Sequence, residues 1–169
     1  MPTEADFQHG FRCLFEAEFS RLFRYLDRLG GDPDLAADLA QEAFVRLYRR
    51  GSLPAAPGPW LATVAMNLFR NHKSTRSRRA RLLTLERAAH SHSDPAASPS
   101  SEVDAAESGR RVREALLRLA DRDRQLLLLR AEGYSYEELS GILGIPPGSV
   151  GTLLSRARAA FKREVGHAT

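Results

Sequence analysis

Cysteine is nearly absent from this chain. Cys13 is the only one in 169 residues, which excludes an internal disulfide. His9 lies one helical turn before it, but no further metal ligands are near in sequence, so we expect a buried thiol rather than a metal site. Other residue clusters that carry chemistry are missing too, since the helical segments hold no glycine-rich phosphate loop. We therefore expect no catalytic residue, no metal and no cofactor, and a protein that is not an enzyme.

Long apolar runs are missing as well. No stretch approaches the ~20 residues that a membrane-spanning helix needs, and the N-terminus lacks the charged and apolar regions of a signal peptide. These two absences predict a cytoplasmic protein without membrane insertion.

Neither sign of charge dominates, because 25 basic residues face 21 acidic ones, for a net charge of +4. The small excess favours an anionic partner, although the distribution of charge matters more than its sum. A hydrophobic content of 43% is enough for one ordinary core or two small ones. Two small helical domains fit the pattern better.

Two short helices around a glycine turn are predicted in residues 135–158. Ser135 and Glu138 have the spacing of a capping box, and Gly144 falls where the chain reverses and positive φ is needed. Pro146 stands where a side-chain cap would serve the second helix, so one helix-start amide lacks that acceptor. The pattern is a helix-turn-helix, and an ordinary amphipathic hairpin is the alternative.

The second of these helices predicts a DNA-facing surface. Apolar residues recur along one face and are expected to be buried. The residues placed to meet DNA are Ser149, Gly151, Thr152, Ser155, Arg156 and Arg158.

The N-terminal part predicts two amphipathic helices, one from Phe7 to Leu29 that ends at Gly30-Gly31 and one from Pro33 to about Arg49. The second carries an acidic and amide-bearing face around an exposed valine, formed by Asp34, Asp38, Gln41, Glu42 and Val45. A plain solvated surface explains the carboxylates, whereas a docking face for a basic partner explains the valine too.

Glycine and proline in residues 51–59 predict a loop before a third helix, from Trp60 to about Arg76. The exposed side of this helix carries Asn67, Arg70, Asn71, Lys73 and Arg76. From Arg70 to Arg81 there are six basic residues and no carboxylate, which indicates phosphate binding. A solvated helix end that complements the macrodipole is the alternative.

Residues 88–106 are rich in Ala, Ser, His, Asp and Pro, a composition that buries too little apolar surface to fold. His90 and His92 in this stretch are expected to be solvated. The segment is predicted to be a flexible linker that extends to ~60 Å, so we expect a variable separation between the two domains.

Three ordered motifs resemble the extracytoplasmic-function (ECF) group of sigma-70 type RNA polymerase sigma factors. The polymerase-binding helix of that family resembles DLAQEAFVRLY at 38–48, and its minus-10 reader resembles PWLATVAMN at 59–67. Its minus-35 reader resembles LADRDRQLLLLR at 119–130 followed by the helix-turn-helix. The resemblance implies an all-α protein with a region 2-like domain at 5–87, a flexible linker at 88–106 and a region 4-like domain at 107–166.

The resemblance also implies a role for each face. Polymerase binding falls on Asp34, Asp38, Gln41, Glu42 and Val45. Minus-10 recognition falls on Trp60, Asn67, Arg70, Asn71, Lys73 and Arg76, and minus-35 recognition on Ser149, Gly151, Thr152, Ser155, Arg156 and Arg158. The implied partners are core RNA polymerase, promoter DNA as duplex and as non-template single strand, and an anti-sigma factor.

One departure from the family concerns the recognition helix, where Gly151 and Leu153 stand at positions that are commonly basic. Fewer long donors reach the groove, so readout is expected to depend on phosphates and DNA shape. The alternative function is a helix-turn-helix regulator that acts without docking on polymerase.

Overall fold

The computed structural model describes residues 3–86 and 105–167, and all regular elements among them are helical. The helices are α1 Glu4–Gly30, α2 Pro33–Arg50, α3 Pro57–Glu86, α4 Ala105–Arg118, α5 Asp121–Ala131, α6 Tyr136–Leu143 and α7 Val150–His167. A 3-10 turn, Pro147–Ser149, precedes α7. The predicted all-α class with two groups of helices is confirmed.

Side-chain caps stabilise the starts of the two N-terminal helices. Thr3 forms a capping box with Asp6 at the start of α1, and the Leu35 amide donates to Asp32 Oδ1 at 3.1 Å at the start of α2. Gly31 ends α1 at φ 69°, in the left-handed region that glycine adopts at low cost. Helices α1 and α2 therefore begin and end close to where the sequence predicts.

The third helix is longer than the sequence predicts at both ends. It begins at Pro57 rather than Trp60, which shortens the predicted 51–59 loop to residues 51–56. Proline is tolerated in a first helical turn, where its missing N–H would have no partner in any case. The helix continues ten residues beyond Arg76, to Glu86, because nothing in 77–86 is a glycine or proline that would stop it.

The helix-turn-helix has the predicted geometry. The Glu138 amide donates to Ser135 Oγ at 3.1 Å and the Ser135 amide to Glu138 Oε2 at 2.7 Å, which completes the capping box. Gly144 turns the chain at φ 64°. Pro146 provides no side-chain cap, and its carbonyl accepts from the Ser149 amide at 2.9 Å instead.

The buried side chains of both helical groups form one continuous cluster. Its fully buried members include Leu26, Leu29, Leu47, Leu61, Leu126, Leu129, Leu139 and Leu154. The sequence predicts two separate small cores, and the structure differs because α1 packs against α4 and α5 while α3 packs against α6. The predicted linker at 88–106 lies outside the described residues apart from its last two, which belong to α4.

Cys13 is exposed, so the expected buried thiol is wrong. Position 13 lies off the apolar stripe of α1, about half a turn from Phe11, and its Sγ is 3.7 Å from His9 Nε2. Within residues 3–86 and 105–167, no helix combines the length and apolar character needed to span a bilayer.

Candidate nucleic-acid and protein interfaces

The acidic face of α2 is accessible. Asp34, Asp38, Gln41 and Val45 are exposed, with 40% of Val45 accessible. Their spacing of three and four residues places them in a row along one side of the helix. Glu42 is half-buried and accepts from Arg46 Nε at 3.0 Å. The structure thus brings all five predicted residues onto one surface, with part of the negative charge paired within the helix.

An aromatic cluster lies where α1 packs on α2, and part of it is exposed. Phe15 is 40% exposed and stacks on Phe19 with ring centroids 4.8 Å apart, and Tyr48 is 50% exposed and contacts Phe11 at 5.4 Å. Phe15 belongs to the apolar stripe of α1. Its recurrence with Phe11 and Phe19 at four-residue steps gives the correct helix face but not the depth of burial.

The predicted minus-10 residues fall in two places along α3. Asn67, Arg70, Asn71, Lys73 and Arg76 are all exposed and span about two and a half turns. The sixth residue stands apart from this set.

Trp60 lies about 10 Å before Asn67 along the helix axis and is half-buried against the core. The Arg50 guanidinium lies 6.0 Å from its ring centroid. The structure therefore groups the amide and basic side chains, while Trp60 stands next to the 51–56 loop.

Two of the basic side chains on α3 contact α5. Lys73 Nζ donates to Asp121 Oδ2 at 2.6 Å, and Arg70 Nη2 donates to Gln125 Oε1 at 3.5 Å. The hydrogen bond from Lys73 holds the pKa of the Asp121 carboxyl below its ordinary value. Sequence reasoning missed these contacts, because each joins residues about fifty positions apart.

The predicted minus-35 residues lie along the start of α7. Thr152, Ser155, Arg156 and Arg158 are exposed. Ser149 and Gly151 are half-buried, where the 3-10 turn passes into the helix. The six residues thus share one end of the helix.

Two residues outside the predicted minus-35 set lie beside the start of α7. Tyr136 is 45% exposed, and its ring lies close enough to Gly151 that a Cβ added there would be 3.6 Å from Tyr136 Cε2. The Arg130 guanidinium lies 5.5 Å from the centroid of the same ring. A larger side chain at position 151 would therefore contact the Tyr136 ring.

Comparison with known proteins assigns both halves of the chain. Residues 14–79 match the family model for sigma-70 region 2, and residues 109–161 match the model for sigma-70 region 4. The sigma-H factor of Pseudomonas aeruginosa is 33% identical over 144 residues, which cover 78% of this chain and 74% of that protein. The ECF sigma factor EcfG of Rhodopseudomonas palustris is 32% identical over 139 residues, which cover 78% and 71%.

The chain belongs to the ECF group of sigma-70 type RNA polymerase sigma factors. Such a protein functions in promoter-specific transcription initiation, and a regulator independent of polymerase is not favoured. The probable sigma factor RfaY of Xanthomonas campestris is 36% identical over 141 residues. This ECF sigma factor spans only 35% of the length of RfaY, against 74% of sigma-H.

Two solved structures share the fold of this ECF sigma factor. The sigma factor RpoE, crystallised with the anti-sigma factor NepR from Bartonella quintana, has a TM-score of 0.71 at 21% identity and covers 93% of this chain and 97% of its own. CnrH, in complex with the cytosolic domain of CnrY, has a TM-score of 0.69 at 19% identity, with 96% and 91% covered. At these identities the likeness concerns the fold.

Proposed function

We propose that this sigma factor binds core RNA polymerase through the acidic face of α2 and reads promoters through α3 and α7. The proposal rests on one observation. Three separate exposed faces lie within residues 14–79 and 109–161, which match the sigma-70 family models. The protein works as a binding and positioning factor rather than as an enzyme, in the cytoplasm where its polymerase partner is found. The predicted domain bounds, 5–87 and 107–166, belong to the same proposal.

Docking on polymerase is attributed to charge and apolar contact together. The carboxylates of Asp38 and Glu42 pair with a basic surface of the polymerase, and Val45 supplies an apolar anchor. Charge complementarity of this kind steers association and selects partners, while the buried apolar centre excludes water from the contact. The exposure of Val45 supports this reading, because a face that is only solvated has no need of it.

The test of docking is a double charge reversal, Asp38→Arg with Glu42→Arg, measured as affinity for core polymerase. We expect a loss of at least tenfold, because each like-charge juxtaposition costs several kcal/mol at an interface. The matched control is Glu16→Arg with Glu114→Arg. It changes the net charge equally and also removes one i,i+4 ion pair, that of Glu114 with Arg118. Wild-type affinity in the test variant, with the fold intact, would show that α2 is not the docking helix.

Binding of the non-template strand is attributed to α3 and the loop before it. Asn67 and Asn71 offer amide groups to bases, and Arg70, Lys73 and Arg76 bind phosphates. Trp60 and the 51–56 loop form the place where an unstacked base is held, since single-strand readers stack bases on aromatic rings. Base selection comes from the loop and affinity from the basic residues.

Reading of the minus-35 element is attributed to the start of α7. Thr152 and Ser155 are short, and Gly151 has no side chain, so base-edge contacts are few. Arg156 and Arg158 contribute phosphate contacts, and specificity comes from these and from DNA shape. Exchange of Arg156 for Ala is expected to weaken binding to all duplex sequences to a similar extent.

An anti-sigma factor is the proposed protein partner. Support comes from the solved neighbour RpoE, which is bound to the anti-sigma factor NepR. Copurification of the full chain with core polymerase or with an anti-sigma candidate separates this reading from a polymerase-independent regulator, which would bring down neither.

A further inference from the structure

A small cavity lies beside the turn between α1 and α2. Residues from α1, α2, α3, α4 and α5 line it. Its volume is about 190 Å³, which is below the ~300–1,000 Å³ of sites that hold drug-sized ligands. A ligand that fits this cavity is therefore a small molecule.

Basic side chains line much of the cavity. His72, Lys73 and Arg76 contribute from α3 and are exposed, so solvent and ligands reach them. Arg124 contributes from α5 and is only 6% exposed. Clustered cations at a concave surface favour an anionic ligand.

The carboxylates nearby do not balance these cations. Asp121 accepts from Lys73 Nζ at 2.6 Å through one oxygen and from Arg124 Nη2 at 2.9 Å through the other, so two cations share one carboxylate. Asp32 is the one carboxylate among the described lining residues, and its Oδ1 already caps α2. Arg76 adds a further cation, and positive charge is therefore in excess.

Arg124 also keeps an unused donor. Its Nη1 donates to the Leu117 carbonyl at 3.4 Å, whereas its buried Nε has no hydrogen-bond partner among the residues that the structure describes. A buried N–H without an acceptor is unfavourable and calls for an acceptor from outside the chain. A phosphate offers several acceptor oxygens, and the planar guanidinium matches their geometry.

The rest of the cavity lining is apolar. Leu29 and Phe69 are buried and Leu35 is half-buried. Gly30 lets the Phe69 ring lie against the end of α1, because a Cβ at position 30 would be 2.9 Å from Phe69 Cε2. Leu117 lines the cavity from α4 and is 45% exposed. A bare inorganic ion leaves this apolar surface in contact with water, whereas an organic group covers it.

We propose that this cavity binds a small phosphate monoester, with its phosphate held by Lys73, Arg76 and Arg124 and its organic group against Leu29 and Phe69. The site gives this sigma factor a ligand besides polymerase, promoter DNA and an anti-sigma factor. Lys73 and Arg76 also belong to the proposed strand-binding set on α3. Arg124 and the apolar lining do not, so the cavity is a site of its own.

The experiment titrates the full chain with phenyl phosphate and follows binding by phosphorus NMR. We expect saturable binding at one site, with a dissociation constant on the order of 1 mM or tighter. Inorganic phosphate lacks the apolar group and should bind about fivefold more weakly or worse. Methyl phenyl phosphate keeps the ring but is a singly charged diester, like the DNA backbone, and should also bind about fivefold more weakly or worse.

Two variants with matched controls place the ligand in the cavity. Arg76→Gln should weaken phenyl phosphate binding about five- to tenfold, whereas Arg12→Gln makes the same charge change about 25 Å away along α1 and should leave it unchanged. Leu117→Trp fills the cavity without a change of charge and should weaken binding tenfold or more. Its control is Val112→Trp, on the same helix and 43% exposed, which should bind as wild type does. All four positions are exposed, and circular dichroism checks that each variant folds.

Three outcomes overturn the inference. Absence of saturable binding shows that the cavity is not a ligand site. Equal affinity for phenyl phosphate and for either of the other two compounds shows that a phosphate monoester with an organic group is not the ligand. Wild-type affinity in both Arg76→Gln and Leu117→Trp places the ligand elsewhere. None of these results bears on strand binding by α3, which the salt dependence of holoenzyme binding tests separately.

Discussion

Replacement of Arg70 and Lys73 by Ala tests whether α3 holds the phosphates of the melted strand. The two side chains lie three residues apart on one exposed side of the helix, about 4.5 Å along its axis. Each phosphate that a basic side chain neutralises on single-stranded DNA adds ~0.7 to the slope of log affinity against log salt. Loss of both contacts should therefore reduce the slope by about 1.4.

The assay measures binding of the holoenzyme to a forked promoter probe at several salt concentrations. Between 50 and 200 mM salt, a slope change of about 1.4 corresponds to a sevenfold difference, so the variant's defect should be largest at low salt. The ion pair of Lys73 with Asp121 is exposed and contributes at most ~1 kcal/mol to stability, and the hydrogen bond of Arg70 with Gln125 is long, at 3.5 Å. The fold should therefore survive the exchange.

The matched control replaces Arg12 and Arg113 by Ala. Both are exposed basic residues, on α1 and α4, and their loss changes the net charge equally. The slope should stay at its wild-type value. A test variant whose slope equals that of the control would refute phosphate binding by α3, and weaker binding at an unchanged slope would assign these residues to base or structural contacts instead.

Three further predictions concern the C-terminal half. Leu139→Ala empties a fully buried site at the centre of α6 and should lower the free energy of unfolding, measured by urea titration, by ~2–5 kcal/mol. The control Leu82→Ala, at a residue 61% exposed, should change it by no more than about 0.5 kcal/mol. Equal effects of the two variants would mean that the helix-turn-helix is not packed as described. Ser135→Ala removes the cap of α6 and should cost about 1 kcal/mol, and no loss would indicate that the capping box does not form in solution. Burial raises the pKa of Tyr134 from its ordinary 10.0 to about 12. Its neutral form therefore contributes stability that is fully present below pH ~10 and lost as the pH rises through about 12. Tyr134→Phe should flatten this alkaline loss, and a wild-type profile in that variant would contradict the assignment.

Much of the fold could be predicted because the signals are local. The capping box of Ser135 and Glu138, the left-handed Gly144 and the Asp32-Pro33 start act within one turn of the chain, so their effect does not depend on distant partners. The same local signals gave the wrong start for α3, because the first turn of this helix tolerates Pro57. Helical periodicity also placed the exposed members of the candidate faces, since it needs only the spacing of residue types.

The contact between the halves could not be predicted in this way. Glu132 is a single carboxylate after a helix, and nothing near it in sequence shows that Arg24 and Arg28 neutralise it from 108 and 104 positions away. Asp121 looks like an ordinary acidic residue in a first helical turn, favoured there by the macrodipole. Its contact with Lys73 exists only because α3 and α5 are brought together.

The sequence by itself determined the helices, their exposed faces and the family, because caps, glycine turns and apolar spacing act over a few residues. The tertiary structure alone decided how deeply each face is buried and which charges meet. Phe15, Asp121 and Glu132 illustrate the difference: burial and charge pairing depend on the approach of segments far apart in the chain. That approach is driven by burial of a shared apolar core, which is non-directional and leaves no local pattern in the sequence.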